Sequence, residues 1–220
     1  MPADRPLPAP SVSADFVRRH TRPDRPSLVP EVTLHVAADV VALWQAIEEE
    51  RGTAPTDPPF WAAAWPGGQA LARHVLDEPG VVAGRSVLDL GAGSGLVAVS
   101  AALAGASSVT ASDIDPFSHA AISVNAEANG IAPVAVLGDV LGEEPPVVDV
   151  VLAGDVCYDR VMSDRVLPWL EAARARGAEV FLGDPGRPYV PVDRLERVAT
   201  FDVPDTEGPH LRRTTVWKLP

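Results

Sequence analysis

Residues 154–159 read GDVCYD and bring together a thiol, two carboxylates and a phenol. Cys157 is the only cysteine of the chain, and Tyr158 is one of two tyrosines. A thiolate near neutral pH needs a cationic neighbour, and none is evident in the sequence, so Cys157 reads as a small hydrophobe. Asp155 and Tyr158 are the stronger candidates. A carboxylate can orient an ammonium group, and an aromatic face can stabilise it. The bland alternative for Asp155 is an Asx-type cap of its own loop. Asp159 lies further along and reads as solvated. The five histidines show no metal-ligand spacing around the lone cysteine, so no metal is expected.

A second chemical stretch is VLDLGAGSGL at 87–96. An apolar run ends in Asp89, followed by Gly91, Gly93, Gly95 and then a helical pattern. Glycines let a backbone turn sharply and approach a ligand, and the next helix N-terminus offers free N–H groups. The dinucleotide fingerprint G-x-G-x-x-G would need its third glycine at position 96, which is leucine. No G-x-x-x-x-G-K-[ST] string is present, which excludes the nucleoside triphosphate loop. Asp113, in TASDIDP, follows the glycines by about twenty residues, the spacing at which an acid can hydrogen-bond ribose hydroxyls. Asp139, in GDV, ends the next apolar run. Trp65 precedes Pro66-Gly67-Gly68, a turn that can lie against a flat ligand, and Trp61 stands behind it as a second candidate or as core. Gln69 could cap the following helix or touch a ligand carboxylate. Arg187 could anchor a substrate loop or pair with Asp184. His119 reads as surface.

These residues need elements to hold them. Residues 31–36 alternate as a strand. Residues 39–51 read as a helix capped by Asp39, with Val40, Leu43, Trp44 and Ile47 on one face. Residues 68–77 look helical. From 86 onward, short apolar strands (86–90, 107–112, 134–138, 148–154, 178–183) alternate with helices (95–103, 116–129, 161–175). Two further strands are expected near 197–202 and 213–218. The alternation implies a parallel sheet covered on both faces. Residues 1–30, rich in proline and arginine, read as a loose or surface-wrapping arm. Residues 31–220 read as one domain, with 31–80 as an N-terminal extension and 81–220 as the cofactor-binding core.

The chain has 220 residues and a formal net charge of −12. That disfavours nucleic acid, whose affinity for proteins comes from Lys and Arg on phosphates. No apolar run spans a membrane and no secretory pattern opens the chain. One cysteine suits a reducing cytoplasm. A monomer is expected.

The D-x-G-x-G-x-G string, with Asp113 and Asp139 at successive strand ends, resembles the Class I S-adenosylmethionine-dependent methyltransferases. The resemblance implies a Rossmann-like, seven-stranded α/β sheet with its last strand antiparallel. It assigns Asp89, Gly91, Gly93, Gly95, Asp113 and Asp139 to S-adenosyl-L-methionine; Trp65, from its own turn, reads as a further cofactor or substrate contact. The D-x-x-Y string at Asp155–Tyr158 resembles family 16, whose members modify protein lysines, and lacks the Pro-Pro of amide- and adenine-directed relatives. DPPFWAAAWPGGQAL (57–71), DIDPFSHAAISVNAEANG (113–130) and LGDPGRPYVP (182–191) are together similar to the lysine methyltransferases that act on the beta subunit of electron transfer flavoprotein. The resemblance covers residues 55–192. It implies a protein substrate, with Asp155 and Tyr158 catalytic. Two alternatives stay open: a small-molecule or ribosomal-protein N-methyltransferase on the same fold, and a binding module without catalysis.

Overall fold

The computed structural model describes residues 13–53, 57–204 and 210–220. Residues 1–12 of the arm, and residues 54–56 of the turn-rich segment before the core, lie outside them. In chain order the elements are α1 (Ala14–His20), β1 (Arg22–Asp24), β2 (Leu34–Val36), α2 (Val40–Arg51), α3 (Pro66–Asp77), β3 (Ser86–Leu90), α4 (Leu96–Leu103), β4 (Ser108–Ser112) and α5 (Pro116–Ala128). They continue with β5 (Ala135–Leu137), β6 (Val150–Gly154), α6 (Arg160–Ala175), β7 (Glu179–Asp184), β8 (Glu196–Pro204) and β9 (Leu211–Lys218). A 3-10 turn covers Phe60–Ala62.

Side-chain caps mark several helix starts. Asp39 accepts from the amides of Val41 and Ala42, Asp115 from Phe117, and Asp159 from Met162. Pro116 then occupies the first turn of α5, where its missing N–H is no loss. On α2 the buried stripe is narrower than the expected four-residue face. Leu43 and Ile47 are buried, while Val40 is 52% exposed.

Seven strands form one sheet in the order β5-β4-β3-β6-β7-β9-β8. All neighbours are parallel until β9, which runs antiparallel to both β7 and β8. Apolar runs make the central strands because both faces are covered. Successive residues alternate between two cores: Val87 and Leu152 pack with α3 and α4, while Leu88 and Val151 pack with α6. The order reverses beside β3, since the chain leaves toward β4 and β5 and returns to β6 on the other side. The crevice at the carboxyl ends of β3 and β6 is therefore where a ligand site belongs.

The segment before the core is tied into it. Phe16 and Val17 of α1 are buried with Trp61 and Phe117. Strands β1 and β2 form a small antiparallel pair. The Ala37 amide donates to the Ala62 carbonyl at 2.9 Å, which fastens the chain after β2 to the 3-10 turn.

Candidate active site

A cavity of about 670 Å³ opens at the carboxyl ends of β3, β4 and β6. Its walls include Gly91, Gly93, Asp113, Asp139, Asp155, Tyr158, Trp65 and Arg187. Residues drawn from six separate stretches of sequence thus share one space.

The glycine loop forms one end. Gly91, Gly93 and Gly95 have φ of 66°, 52° and 77°, in the left-handed region that side chains resist. At Gly91 a Cβ would also stand 3.0 Å from Val156. The Asp113 carboxylate steadies the loop. Its Oδ2 accepts from the Gly93 amide at 2.8 Å, and its Oδ1 accepts from the Asp115 amide at 2.9 Å. Each oxygen retains a lone pair for a further donor. Asp139 is more exposed. Its Oδ2 receives the Arg165 guanidinium at 2.7 Å, and that bond holds its pKa below the ordinary carboxylate value. Asp89 stands apart from these. It is 1% exposed and lines a side recess of about 40 Å³, not the main cavity. Its Oδ2 accepts from the Ala98 amide at 2.9 Å, in the first turn of α4. Burial pushes its pKa up to about 7, against the opposing Ala98 hydrogen bond.

Another wall of the cavity is built on Asp155, just past β6; this residue also lines the recess shared with Asp89, Gly91 and Gly93. It has φ 57°, the one positive φ outside glycine among the described residues. Aspartate tolerates this region better than most side chains. The conformation turns its carboxylate toward the N-terminus of α3, where Oδ2 accepts from the Gly68 amide at 2.8 Å. The approach is close enough that a Cβ on Gly67 would overlap both the Gly183 carbonyl and this carboxylate. Oδ1 is buried and has no hydrogen-bond partner among the described residues. The nearest cation is Arg187, 3.6 Å away. Burial pushes the Asp155 pKa up to about 6; the Gly68 N–H and Arg187 oppose this. Arg187 is held in place by Asp184, whose Oδ1 accepts from the Gly186 and Arg187 amides at 2.7 Å each.

Aromatic rings form the wall nearest Asp155. Tyr158 is 42% exposed, and its ring lies 5.8 Å from Phe60. Phe60 meets Trp65 edge-on at 5.7 Å, and the Trp65 indole N–H donates to the Phe60 carbonyl at 2.7 Å. Burial, with Asp159, Asp57 and Asp113 adding to it, raises the Tyr158 pKa. Phe60 was not among the residues expected here. Its signal was the FW pair in a 3-10 turn, where one ring faces the cavity and Trp61 packs inward, 1% exposed against Phe117.

Three other side chains have plain local roles. Cys157 is buried, with its thiol pushed up to about 11 by burial. Asp159 caps α6. Gln69 donates to the Ala64 carbonyl at 2.8 Å, and its Oε1 accepts from the Leu28 amide at 3.4 Å. Among the described residues no cluster of His, Cys, Asp and Glu could hold a metal ion, and no helix is long and apolar enough to cross a membrane.

Comparison with known proteins places this geometry. The family model "Ribosomal protein L11 methyltransferase (PrmA)" matches residues 70–156, the first half of the core, and ends before Tyr158. Among solved structures, TrmN from Thermus thermophilus superposes with TM-score 0.53 at 19% identity, covering 81% of this chain and 66% of that one. Together these define a Rossmann-like α/β fold of the kind methyltransferases use. The electron transfer flavoprotein beta subunit lysine methyltransferase of Danio rerio is 40% identical over 201 residues, covering 87% of this chain and 77% of that protein. The Homo sapiens protein of the same name is 38% identical over 203 residues, covering 87% and 75%. The chain belongs to the family of electron transfer flavoprotein beta subunit lysine methyltransferases.

Proposed function

We propose that this methyltransferase uses S-adenosyl-L-methionine to methylate a lysine of the electron transfer flavoprotein beta subunit. The observation that carries the lysine reading is Asp155: a buried carboxylate on the cavity wall whose Oδ1 has no hydrogen-bond partner among the described residues and has Arg187 at 3.6 Å. The names of the relatives support the choice of protein substrate.

The residues at the glycine-loop end fit the cofactor. The turn at Gly91 leaves backbone where a side chain would intrude, and Asp113 keeps lone pairs free toward the cavity wall it forms. Gly91, Gly93 and Gly95 would hold the methionine part with Asp89 behind them. Asp113 would hold the ribose, Asp139 would lie near the adenine, and Trp65 would lie along the bound group. When bound, S-adenosylmethionine supplies a methyl group on a positively charged sulfur, open to in-line displacement.

The chain's own residues then prepare the acceptor. A lysine at pH 7 is an ammonium, and removing its proton costs about 4–5 kcal/mol. Asp155 Oδ1 accepts a hydrogen bond from the ammonium and sets the direction of the nitrogen. Tyr158, Phe60 and Trp65 offer ring faces to the cation and exclude water, and desolvation favours the neutral amine. The released proton passes to solvent as the amine lone pair aligns with the methyl group. Neither Cys157 nor any covalent intermediate on the protein takes part. The buried, unpaired cysteine suits a reducing compartment such as the cytoplasm.

The reading is tested by incubating the protein with methyl-labelled S-adenosylmethionine and a bacterial lysate. Label on a lysine of the flavoprotein beta subunit is expected. Label confined to small molecules, or to ribosomal proteins, would replace the proposal with one of its alternatives.

A further inference from the structure

The stretch SVNAEANG at 123–130 carries two asparagines four residues apart, Asn125 in α5 and Asn129 at its C-cap, a spacing that puts both on one side of the helix. Neither reaches the cavity, yet both are fully engaged. Asn125 is 0% exposed. Its Nδ2 donates at 2.8 Å to the carbonyl of Ser94, inside the glycine loop between Gly93 and Gly95. Its Oδ1 accepts at 2.7 Å from the His35 amide, on β2. A flipped side-chain amide would set donor against donor at His35 and acceptor against acceptor at Ser94, so these partners dictate its orientation. Asn129 pairs with Thr33, two residues earlier in the same segment, through both of its side-chain polar atoms. Its Oδ1 accepts from the Thr33 amide at 2.9 Å, and its Nδ2 donates to the Thr33 carbonyl at 2.7 Å. The two side chains thus act as a strip of strand edge for residues 33–35, some ninety positions away (separations of 96 and 90).

We infer that Asn125 is a positioning residue for the glycine loop, and that through it the docking of β2 and the binding of the cofactor stabilise one another. This rests on the cofactor reading proposed above. The arrangement needs no moving part. An unpaired carbonyl at Ser94 or an unpaired amide at His35 is unfavourable once buried, so loop and strand favour their ordered states together. The tie reaches the acceptor wall as well. Two residues beyond His35, the Ala37 amide holds the Ala62 carbonyl, in the turn that presents Phe60. Linkage makes the effect reciprocal: whatever factor the docked strand adds to ligand affinity, bound ligand adds to docking.

Two variants separate positioning from general stability. Asn125→Asp keeps the acceptor for His35 and sets a carboxylate oxygen against the Ser94 carbonyl. Asn129→Ala gives up its bonds to Thr33 and to the Asn125 carbonyl, and none to the loop. Titration with S-adenosylhomocysteine should show binding at least about tenfold weaker for Asn125→Asp, with a cooperative melt retained. For Asn129→Ala, a comparable fall in melting temperature should come with a smaller loss of affinity. Equal losses of affinity in the two variants, or unchanged affinity in Asn125→Asp, would overturn the inference. Hydrogen exchange on the unaltered protein gives an independent reading if a variant fails to fold. S-adenosylhomocysteine should slow exchange of the amides of residues 33–35, and no change there would also overturn it. Failure of the unaltered protein to bind S-adenosylhomocysteine at all would sink the cofactor reading and this inference with it.

Discussion

Asp89 and Asp155 sit at the ends of neighbouring strands, β3 and β6, which are paired through Leu90 and Ala153. Both are buried, both accept from an amide in the first turn of a helix, and burial raises the pKa of both. They differ in what they face. Asp89 is enclosed beneath α4, on a recess of about 40 Å³. Asp155 lines the same recess but reaches the wall of the large cavity as well, where its buried Oδ1 has no hydrogen bond and has Arg187 at 3.6 Å. The backbone makes the difference. Asp89 lies inside its strand, with its side chain fixed by the pleat. Asp155 lies one residue past its strand, at φ 57°, and turns away from that direction. Similar burial thus serves a helix start in one place and, in the proposed function, a receptor for a cation in the other.

Four changes would break or sharpen this contrast, and the largest effect is expected at Asp155. Asp155→Asn should lower kcat at least about a hundredfold, since the ammonium loses its charged acceptor, while S-adenosylhomocysteine still binds. The same change should stabilise the fold. The native pKa is raised to about 6, so the acid's contribution to stability is present below its unfolded value and lost as pH rises through 6. Above that pH the variant should gain about 2–3 kcal/mol, or roughly 5–10 °C in melting temperature, with no gain at pH 4 or below. In the unaltered enzyme, kcat/KM should rise through about pH 6 as Asp155 ionises. An active Asp155→Asn, or one that melts identically at pH 4 and pH 8, would erase the contrast.

Gly91→Ala comes next. A side chain at φ 66°, 3.0 Å from Val156, should cost about 1–3 kcal/mol of stability and weaken S-adenosylhomocysteine binding at least about tenfold by calorimetry. Asp89→Asn should act more mildly on function. At saturating cofactor its kcat should stay within about threefold, with some loss of cofactor affinity, because it supports the loop and touches no acceptor. Its stability gain should appear as pH rises through about 7, since burial raises its pKa to that value. A loss of kcat equal to that of Asp155→Asn would show that the two acids do the same work. Cys157→Ala should be the quietest: about 1 kcal/mol of lost packing and kcat unchanged within about twofold.

Much of the frame was legible in the sequence, for identifiable reasons. Strands β3, β6 and β7 are buried on both faces and so read as apolar runs. Asp39 and Pro116 mark helix starts through local chemistry. The glycines at 91, 93 and 95 announce a backbone that no other residue would follow. What was not legible depends on contacts between distant positions. The Asp155 carboxylate meets the Gly68 amide across 87 residues, and nothing in GDVCYD points to α3. Nor does the D-x-x-Y string say which carboxylate oxygen goes without a hydrogen bond. Phe60 and Trp61 are adjacent aromatics with opposite fates, separated only by the geometry of a 3-10 turn. Asn125 and Asn129 look like ordinary helix-surface polar residues until Thr33 and His35 lie against them.

The central claim is that Asp155 receives a lysine ammonium of the flavoprotein beta subunit. Its most direct test is mass spectrometry of purified electron transfer flavoprotein after incubation with S-adenosylmethionine and either the unaltered enzyme or Asp155→Asn. The account predicts methyl groups on a beta-subunit lysine with the unaltered enzyme and none with the variant, although both bind S-adenosylhomocysteine. Methylation by the variant at the unaltered rate, or an unmodified flavoprotein in both reactions, would contradict it.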